Sequence, residues 1–285
     1  MPIADASRLI ILAAIWGGSF VFLRVLSPVL GPLLTADLRV LIAWMALAVY
    51  FRIVGQAMDW RRFWVQYLII GFFNAALPFS LFAFAALYVP ASYSAIINAT
   101  SPIFGALFSV LWLGEKLTAN KLLGFIFGIV GVALVTKFAG SHLGTMELRA
   151  MAACLGAALC YGFVSVYTKK FASAANPTAV AGASQLMAGL VLIPWLPFQP
   201  PSRAITLLVA VNMLAFALLC SGVAFLLYFR LIANVGPTKA LTVTFLMPAF
   251  TMLWARLFIG ETVTAAMLFG CVLVLCGTAL VVMRR

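Results

Sequence analysis

Within long apolar runs, a small set of polar and aromatic residues has the chemistry to bind a small molecule. The set is Trp16, Ser19, Asn74, Pro78, Phe82, Tyr93, Asn98, Pro102, Tyr161, Ser165, Ser221, Tyr228, Thr244 and Pro248. Asn74 and Pro78 are four apart and fall on one helix face. Asparagine amides both donate and accept hydrogen bonds, which suits a zwitterion. Trp16, Phe82, Tyr93, Tyr161 and Tyr228, with Phe20, could form an aromatic wall. Ser94, Ser101, Thr242 and Thr251 add hydroxyls around the two prolines. The plain alternative for any one hydroxyl is interhelical bonding, worth about 0.6 kcal/mol on average in lipid. For each aromatic it is a place facing lipid or the membrane interface.

The same inventory excludes other chemistries. The six acids are Asp5, Asp37, Asp59, Glu115, Glu147 and Glu261, and none falls at the centre of an apolar run. The single histidine, His142, lies in a polar connection. An intramembrane enzyme needs a nucleophile, base or metal inside the runs, and no such constellation is present. No Gly-x-x-x-x-Gly-Lys motif offers a nucleotide site. Cys154, Cys160, Cys220, Cys271 and Cys276 sit singly in apolar runs and read as buried thiols, with no disulfide or metal site. No catalytic residue, metal or cofactor is therefore expected. Central carboxylate or histidine relays are the usual mark of proton coupling. Their absence favours facilitated movement, with Asp37 as the alternative coupling group. Asp37 and Arg39 start the second run, where the helix dipole favours the acid and the arginine can snorkel to the interface.

The elements that must position these residues follow from composition. The 285-residue chain is 66% hydrophobic and 8% charged, against about 25% charged residues in soluble domains. Its solvent must be lipid. Continuous apolar runs of about 20 residues call for helices, and the alternation of a membrane barrel is missing. The expected architecture is all-α, with ten spans near 8–26, 34–53, 64–88, 92–113, 119–138, 148–169, 178–198, 205–229, 238–259 and 264–283. The first run has no cleavage region after it and reads as an uncleaved span. Short proline-marked turns, Val89-Pro90-Ala91 and Asn234-Val235-Gly236-Pro237, join neighbours at matching places. The net charge of +12 forms no nucleic-acid stripe; it sits at the ends of runs. One side carries twelve cations: Arg8, Arg52, Arg61, Arg62, Lys116, Lys121, Lys169, Lys170, Arg230, Lys239, Arg284 and Arg285. The other carries Arg24, Lys137, Arg149, Arg203 and Arg256. The excess puts both termini in the cytoplasm.

The chain also repeats itself. Pro102, Phe104, Gly114, Glu115, Thr118, Gly124 and Gly131 recur 146 residues later as Pro248, Phe250, Gly260, Glu261, Thr264, Gly270 and Gly277. Each copy holds five spans, an odd number, so the second copy must enter the membrane with opposite sense. Such inverted repeats accompany alternating access, with the binding site between the halves. The domains expected are residues 1–139 and 147–285, with no soluble domain. Pro102 and Pro248 read as paired kinks lining the pathway. Gly124, Gly128 and Gly131, with Gly270 and Gly277, read as close-packing faces that join the halves or a second molecule. Glu115 and Glu261 read as ties on interfacial turns.

These residues resemble a family. Trp16-Gly17, Arg39, Pro102, Leu113-Gly114-Glu115-Lys116-Leu117-Thr118 and the glycines at 124, 128 and 131 are similar to the pattern of EamA-type members of the drug/metabolite transporter superfamily. Tyr161-Gly162, Pro248 and Ile259-Gly260-Glu261 repeat it. The resemblance covers essentially the whole chain and implies a multi-pass inner-membrane transporter working by alternating access. Length and aromatic content most resemble the branch that exports aromatic and other neutral amino acids. Purines, cysteine metabolites or drugs are the alternative cargo. Nucleotide sugars or sugar phosphates fit less well, because they call for more cations in the cavity. The implied partners are a small-molecule substrate and the lipid bilayer, with the protein read as a monomer and a dimer as the alternative.

Overall fold

A backbone in lipid has no water to bond, so its amides must be satisfied within the chain. Helices meet that demand locally, and this chain is all-helical. The computed structural model describes residues 2–137, 144–235, 240 and 242–282. The Gly236-Pro237 turn, His142, Lys239, Arg284 and Arg285 lie outside the described residues.

In chain order, α1 is Ile3–Leu30, α2 Pro32–Val54 and α3 Trp60–Ala85. Next, α4 comes in two pieces, Ala91–Asn98 and Ser101–Leu113, followed by α5, Ala119–Lys137, and α6, Thr145–Phe171. Then α7, Pro177–Leu192, runs on into a 3-10 turn, Ile193–Phe198. Residues 207–235 form α8, in the pieces Leu207–Ala217, Leu218–Val223 and Ala224–Val235. The last two are α9, Val243–Ile259, and α10, Ala265–Val282. Among the described residues eight helices are long and apolar enough to cross a membrane, and Ala119–Val135 and Val243–Ile259 are shorter apolar helices. No strand occurs among the described residues.

Several elements end differently from the expected spans, for local reasons. A single glycine, Gly31 at φ 80°, separates α1 from α2, and Pro32 starts the next helix with the fixed φ that a first turn tolerates. Both α3 and α8 contain a π-helical turn, Phe72–Ala76 and Leu218–Val223, at the same 146-residue offset. In α3 the turn precedes Pro78, which lacks the N–H that would bond the Asn74 carbonyl. Leu77 N–H reaches back to Phe72 O instead, so the expected stacking of Asn74 over Pro78 on one regular helix face is altered.

The helices pair in a regular way. α1 packs on α9 and α6 on α4; α3 packs on α7 and α8 on α2; α2 also meets α7, and α5 meets α10. The α5–α10 contact settles the role of the glycine rows. A Cβ on Gly124 would stand 2.6 Å from Gly277 O, and one on Gly131 would stand 3.0 Å from Gly270 O. The rows therefore join the two halves of one chain. The outward faces of this pair carry Ile129, Phe269 and Val272 exposed, as a lipid solvent requires. Cys154, Cys160, Cys220 and Cys271 are buried as expected, but Cys276 is exposed: it lies on the outward face of α10, away from the α5 contact.

Candidate functional site

Close helix contacts frame the interior. Gly17 of α1 lies against α9, where an added Cβ would meet Phe250 Cβ at 2.8 Å and Met247 O at 2.9 Å. Gly162 of α6 lies against α4, where it would meet Phe104 Cβ at 2.5 Å and Gly105 N at 2.7 Å. Phe104 and Phe250 are 146 apart, so the same phenylalanine receives a glycine in both places. Two side chains of α9 secure the first contact. Thr251 Oγ1 donates to Gly17 O at 2.9 Å, and Trp254 Nε1 donates to Ala14 O at 2.9 Å. Thr251 is thus interhelical glue.

From α1 the interior is built around the irregular turn of α8. A π turn disturbs the carbonyl ladder and calls for outside donors. Trp16 Nε1 supplies one, to Cys220 O at 3.1 Å, while Cys220 Sγ donates to Ile15 O at 3.3 Å. The Trp16 ring lies 5.2 Å from Tyr228 and 6.2 Å from Phe225. Ser19 is buried and gives its hydroxyl to Trp16 O. Ser221, fully buried in the same π turn, accepts from Arg39 Nε at 2.9 Å.

Arg39 was expected to snorkel, and it does not. It is 6% exposed, with its guanidinium carbon 3.7 Å from the Phe79 ring centre and 4.6 Å from that of Phe216. The helix phase turns it into the bundle between α3 and α8. Asp37 is also buried, and its Oδ1 has no hydrogen-bond partner among the described residues. One turn along the face of α1 from Trp16, Phe20 meets Phe82 edge-on at 5.3 Å, and Phe82 stacks on Tyr161 at 6.2 Å. Tyr161 also packs against the buried cluster of Val40 and Phe79. Trp16, Ser19, Phe82, Tyr161, Ser221 and Tyr228 are therefore joined through α1, α3, α6 and α8. Pro78 is buried one turn from Phe82, and Asn74 is half-buried, its amide without a hydrogen bond among the described residues.

A separate group surrounds the break in α4. Pro102 has no N–H for the Asn98 carbonyl, and Ser101 Oγ bonds that oxygen at 2.6 Å. Thr100 Oγ1 covers Ile97 O at 2.7 Å, and Thr278 Oγ1 of α10 covers Ala99 O at 2.8 Å. Asn98 Oδ1 accepts weakly from Ser101 Oγ at 3.3 Å. Tyr93 is buried at the start of this helix. Ser165 is exposed and bonds Gly162 O of its own helix, lying against Gly105 rather than with Trp16 and Ser221. In α9, Pro248 is buried and Thr244 half-buried.

At the helix ends the two glutamates do different work. Gly114 and Gly260 end α4 and α9 in the left-handed region, at φ 68° and 69°, where glycine carries no Cβ penalty. The next residue, Glu261, takes up the N-terminus of α4, accepting from Ala91 N at 2.8 Å and from Ser92 Oγ at 3.2 Å. Glu115 instead pairs with Lys121 at 3.0 Å and Lys169 at 3.5 Å. The Lys121 hydrogen bond holds the Glu115 carboxyl below its usual range. At the opposite helix end from Glu261, Asp5 binds Arg8 and accepts from Asn234 Nδ2 at 2.8 Å.

The chain is a multi-pass helical bundle with polar and aromatic groups gathered inside it. The model of the EamA-like transporter family matches residues 7–137 and again 148–283, and the chain belongs to that family. It is similar to the uncharacterized transporter YvbV of Bacillus subtilis (strain 168), 26% identical over 97% of this chain and 90% of that one. Protein PecM of Dickeya dadantii (strain 3937) is 25% identical over 91% of this chain and 86% of its own. The uncharacterized inner membrane transporter YedA of Escherichia coli (strain K12) is 25% identical over 88% and 81%. A solved crystal structure, 18% identical, covers 96% of both chains with a TM-score of 0.67, a likeness of fold.

Proposed function

We propose that this protein exports small amphipathic metabolites, aromatic or other neutral amino acids first among them, by alternating access across the inner (plasma) membrane. In this reading ten spans form two inverted five-helix repeats, 1–139 and 147–285, with both termini cytoplasmic. The observation that carries it is the contact built twice with the halves exchanged: Gly17 on Phe250, and Gly162 on Phe104. Two halves of opposite sense that use one contact in both places provide two arrangements of similar energy, one open to each side. The inner-membrane placement draws support from the name of the YedA relative.

The first piece of α4, Ala91–Asn98, is wholly buried and capped by Glu261, whereas the second, Ser101–Leu113, buries only Ile103. The substrate site lies between the halves, with Trp16, Phe82, Tyr161 and Tyr228 as aromatic wall and Asn74, Asn98 and Ser221 as polar contacts. Transport runs down the substrate's own gradient. Asp37, buried with its Oδ1 unsatisfied among the described residues, is the alternative, as a coupling group. Accumulation driven by a proton gradient in wild type but lost in Asp37→Asn would replace facilitation by coupling.

The test is counterflow in proteoliposomes loaded with L-phenylalanine, challenged by a panel of aromatic, small neutral and charged amino acids and purines. Aromatic and neutral amino acids should compete best, and Trp16→Ala and Asn98→Leu should lower the rate while folded protein stays in the membrane. Purines competing while every amino acid fails would move the cargo to the alternative class. Full transport in both variants would remove the site.

A further inference from the structure

Arg39 is the one basic residue buried among the described residues. Its Nε is taken by Ser221 Oγ at 2.9 Å. A guanidinium carries five N–H donors in a planar fork, and the four on its terminal nitrogens have no partner among the described residues. None of the ion pairs among the described residues includes Arg39. Asp37, two positions earlier, has its Oδ1 beside Gly189 of α7 and forms no ion pair with Arg39. Phe79 and Phe216 hold the charge at 3.7 and 4.6 Å from their ring centres. Aromatic faces attract a cation without neutralising it. A buried arginine held in one orientation with its fork unpaired has the donors to take a carboxylate.

We propose that Arg39 binds the carboxylate of the transported molecule, its two terminal nitrogens meeting the two carboxylate oxygens. Ser221 sets the rotation of the guanidinium and the two rings set its plane. One buried cation matches a monoanion and leaves a phosphate dianion half-neutralised. Arg24, the next cation along, is only half-buried and already donates to Ala86 O near the end of α3. The aromatic groups stand alongside: Tyr161 packs in the cluster around Phe79, and Trp16 bonds Cys220 O, one residue from Ser221. The site therefore takes a carboxylate beside an aromatic or apolar body. This assignment deepens the export reading and rests on its site lying between the halves.

A structural brace between α2, α3 and α8 would affect every ligand alike, so the test varies ligand charge. Equilibrium dialysis of the purified full-length protein would compare L-phenylalanine, 3-phenylpropionate and L-phenylalanine amide, the last lacking only the anionic charge. Wild type should bind both carboxylates at least tenfold more tightly than the amide. Arg39→Gln should weaken both carboxylates at least tenfold and leave the amide within twofold. Arg39→Lys should restore part of the difference, because it keeps the charge and loses the fork; it also serves where the glutamine variant does not fold. Equal losses for amide and carboxylates, or a wild type that prefers the amide or binds no carboxylate across a wider panel, would overturn the assignment. Binding of 3-phenylpropionate without any amino acid would remove the amino-acid reading and leave Arg39 standing.

Discussion

α4 and α9 share a proline at matching positions, yet the two residues before the serine or methionine that precedes it differ: Ala99 and Thr100 form a turn, whereas the matching Phe245 and Leu246 are helical. α4 stops at Asn98 and restarts at Ser101, while α9 runs unbroken from Val243 to Ile259. Their neighbouring side chains explain the difference. Thr100 and Ser101 cover the carbonyls of Ile97 and Asn98, and Thr278 covers Ala99. The matching positions of α9 hold Leu246 and Met247, which have no hydroxyl to offer. In lipid the carbonyls freed at a turn need donors from the protein, and the α4 turn has them. Exposure divides the same way: Pro102 is half-buried and Pro248 is buried with Met247, Thr251 and Met252 around it. Two copies of one motif thus place a turn at Ala99 and Thr100 of α4 and helix at the matching Phe245 and Leu246 of α9.

The comparison can be broken first at what the copies share. Gly17→Leu and Gly162→Leu drive a side chain into backbone atoms of the facing helix. Each should cost about 1–3 kcal/mol or more and remove most transport, read as a lowered midpoint in thermal unfolding and as uptake. Gly18→Ala, facing Trp254 at an ordinary 3.6 Å, should be tolerated. A mild Gly162 variant beside a severe Gly17 variant would show that the two contacts are unequal.

A second experiment sharpens the difference. Thr278→Val leaves the Ala99 carbonyl unpaired in the α4 break and should cost about 1–3 kcal/mol in the same melts. Unchanged stability would mean that the break does not depend on that hydroxyl.

The smallest effects belong to the glutamates. Glu261→Ala removes a cap from α4 and should cost about 0.5–2 kcal/mol. Glu115→Ala removes a partly exposed ion pair and should cost about 0–1 kcal/mol. Because the Lys121 bond depresses the Glu115 carboxyl, its contribution is present above the unfolded value, about 4.3. It is lost as pH falls through the lower folded value. Glu115→Gln should flatten that acid limb in unfolding measurements across pH 3–6.

Much of the fold was legible because lipid imposes it. Apolar runs marked the helices, glycine spacing marked the α5–α10 face, and Gly114 and Gly260 marked helix ends. Other features depend on where a residue points once neighbours are in place. Arg39 near a helix start reads as a snorkelling residue, but the phase of α2 turns it between Phe79 and Phe216. The π turns have no residue signature of their own; the proline four beyond Asn74 was the available hint in α3, and Cys220 offered none in α8. Within the candidate set, Trp16, Ser221 and Tyr228 converge through a carbonyl that only the π turn makes available. Ser165, alike in residue type, faces away because its helix phase places it against Gly105.

Sided cysteine labelling tests the inverted arrangement most directly. In a background without the five native cysteines, Thr118→Cys and Thr264→Cys occupy the same place in the two copies. A membrane-impermeant maleimide applied to right-side-out and inside-out vesicles should reach Thr118→Cys only from the cytoplasmic face and Thr264→Cys only from the opposite face. Labelling of both from one face would contradict the inverted repeat, and with it the alternating-access account built on it.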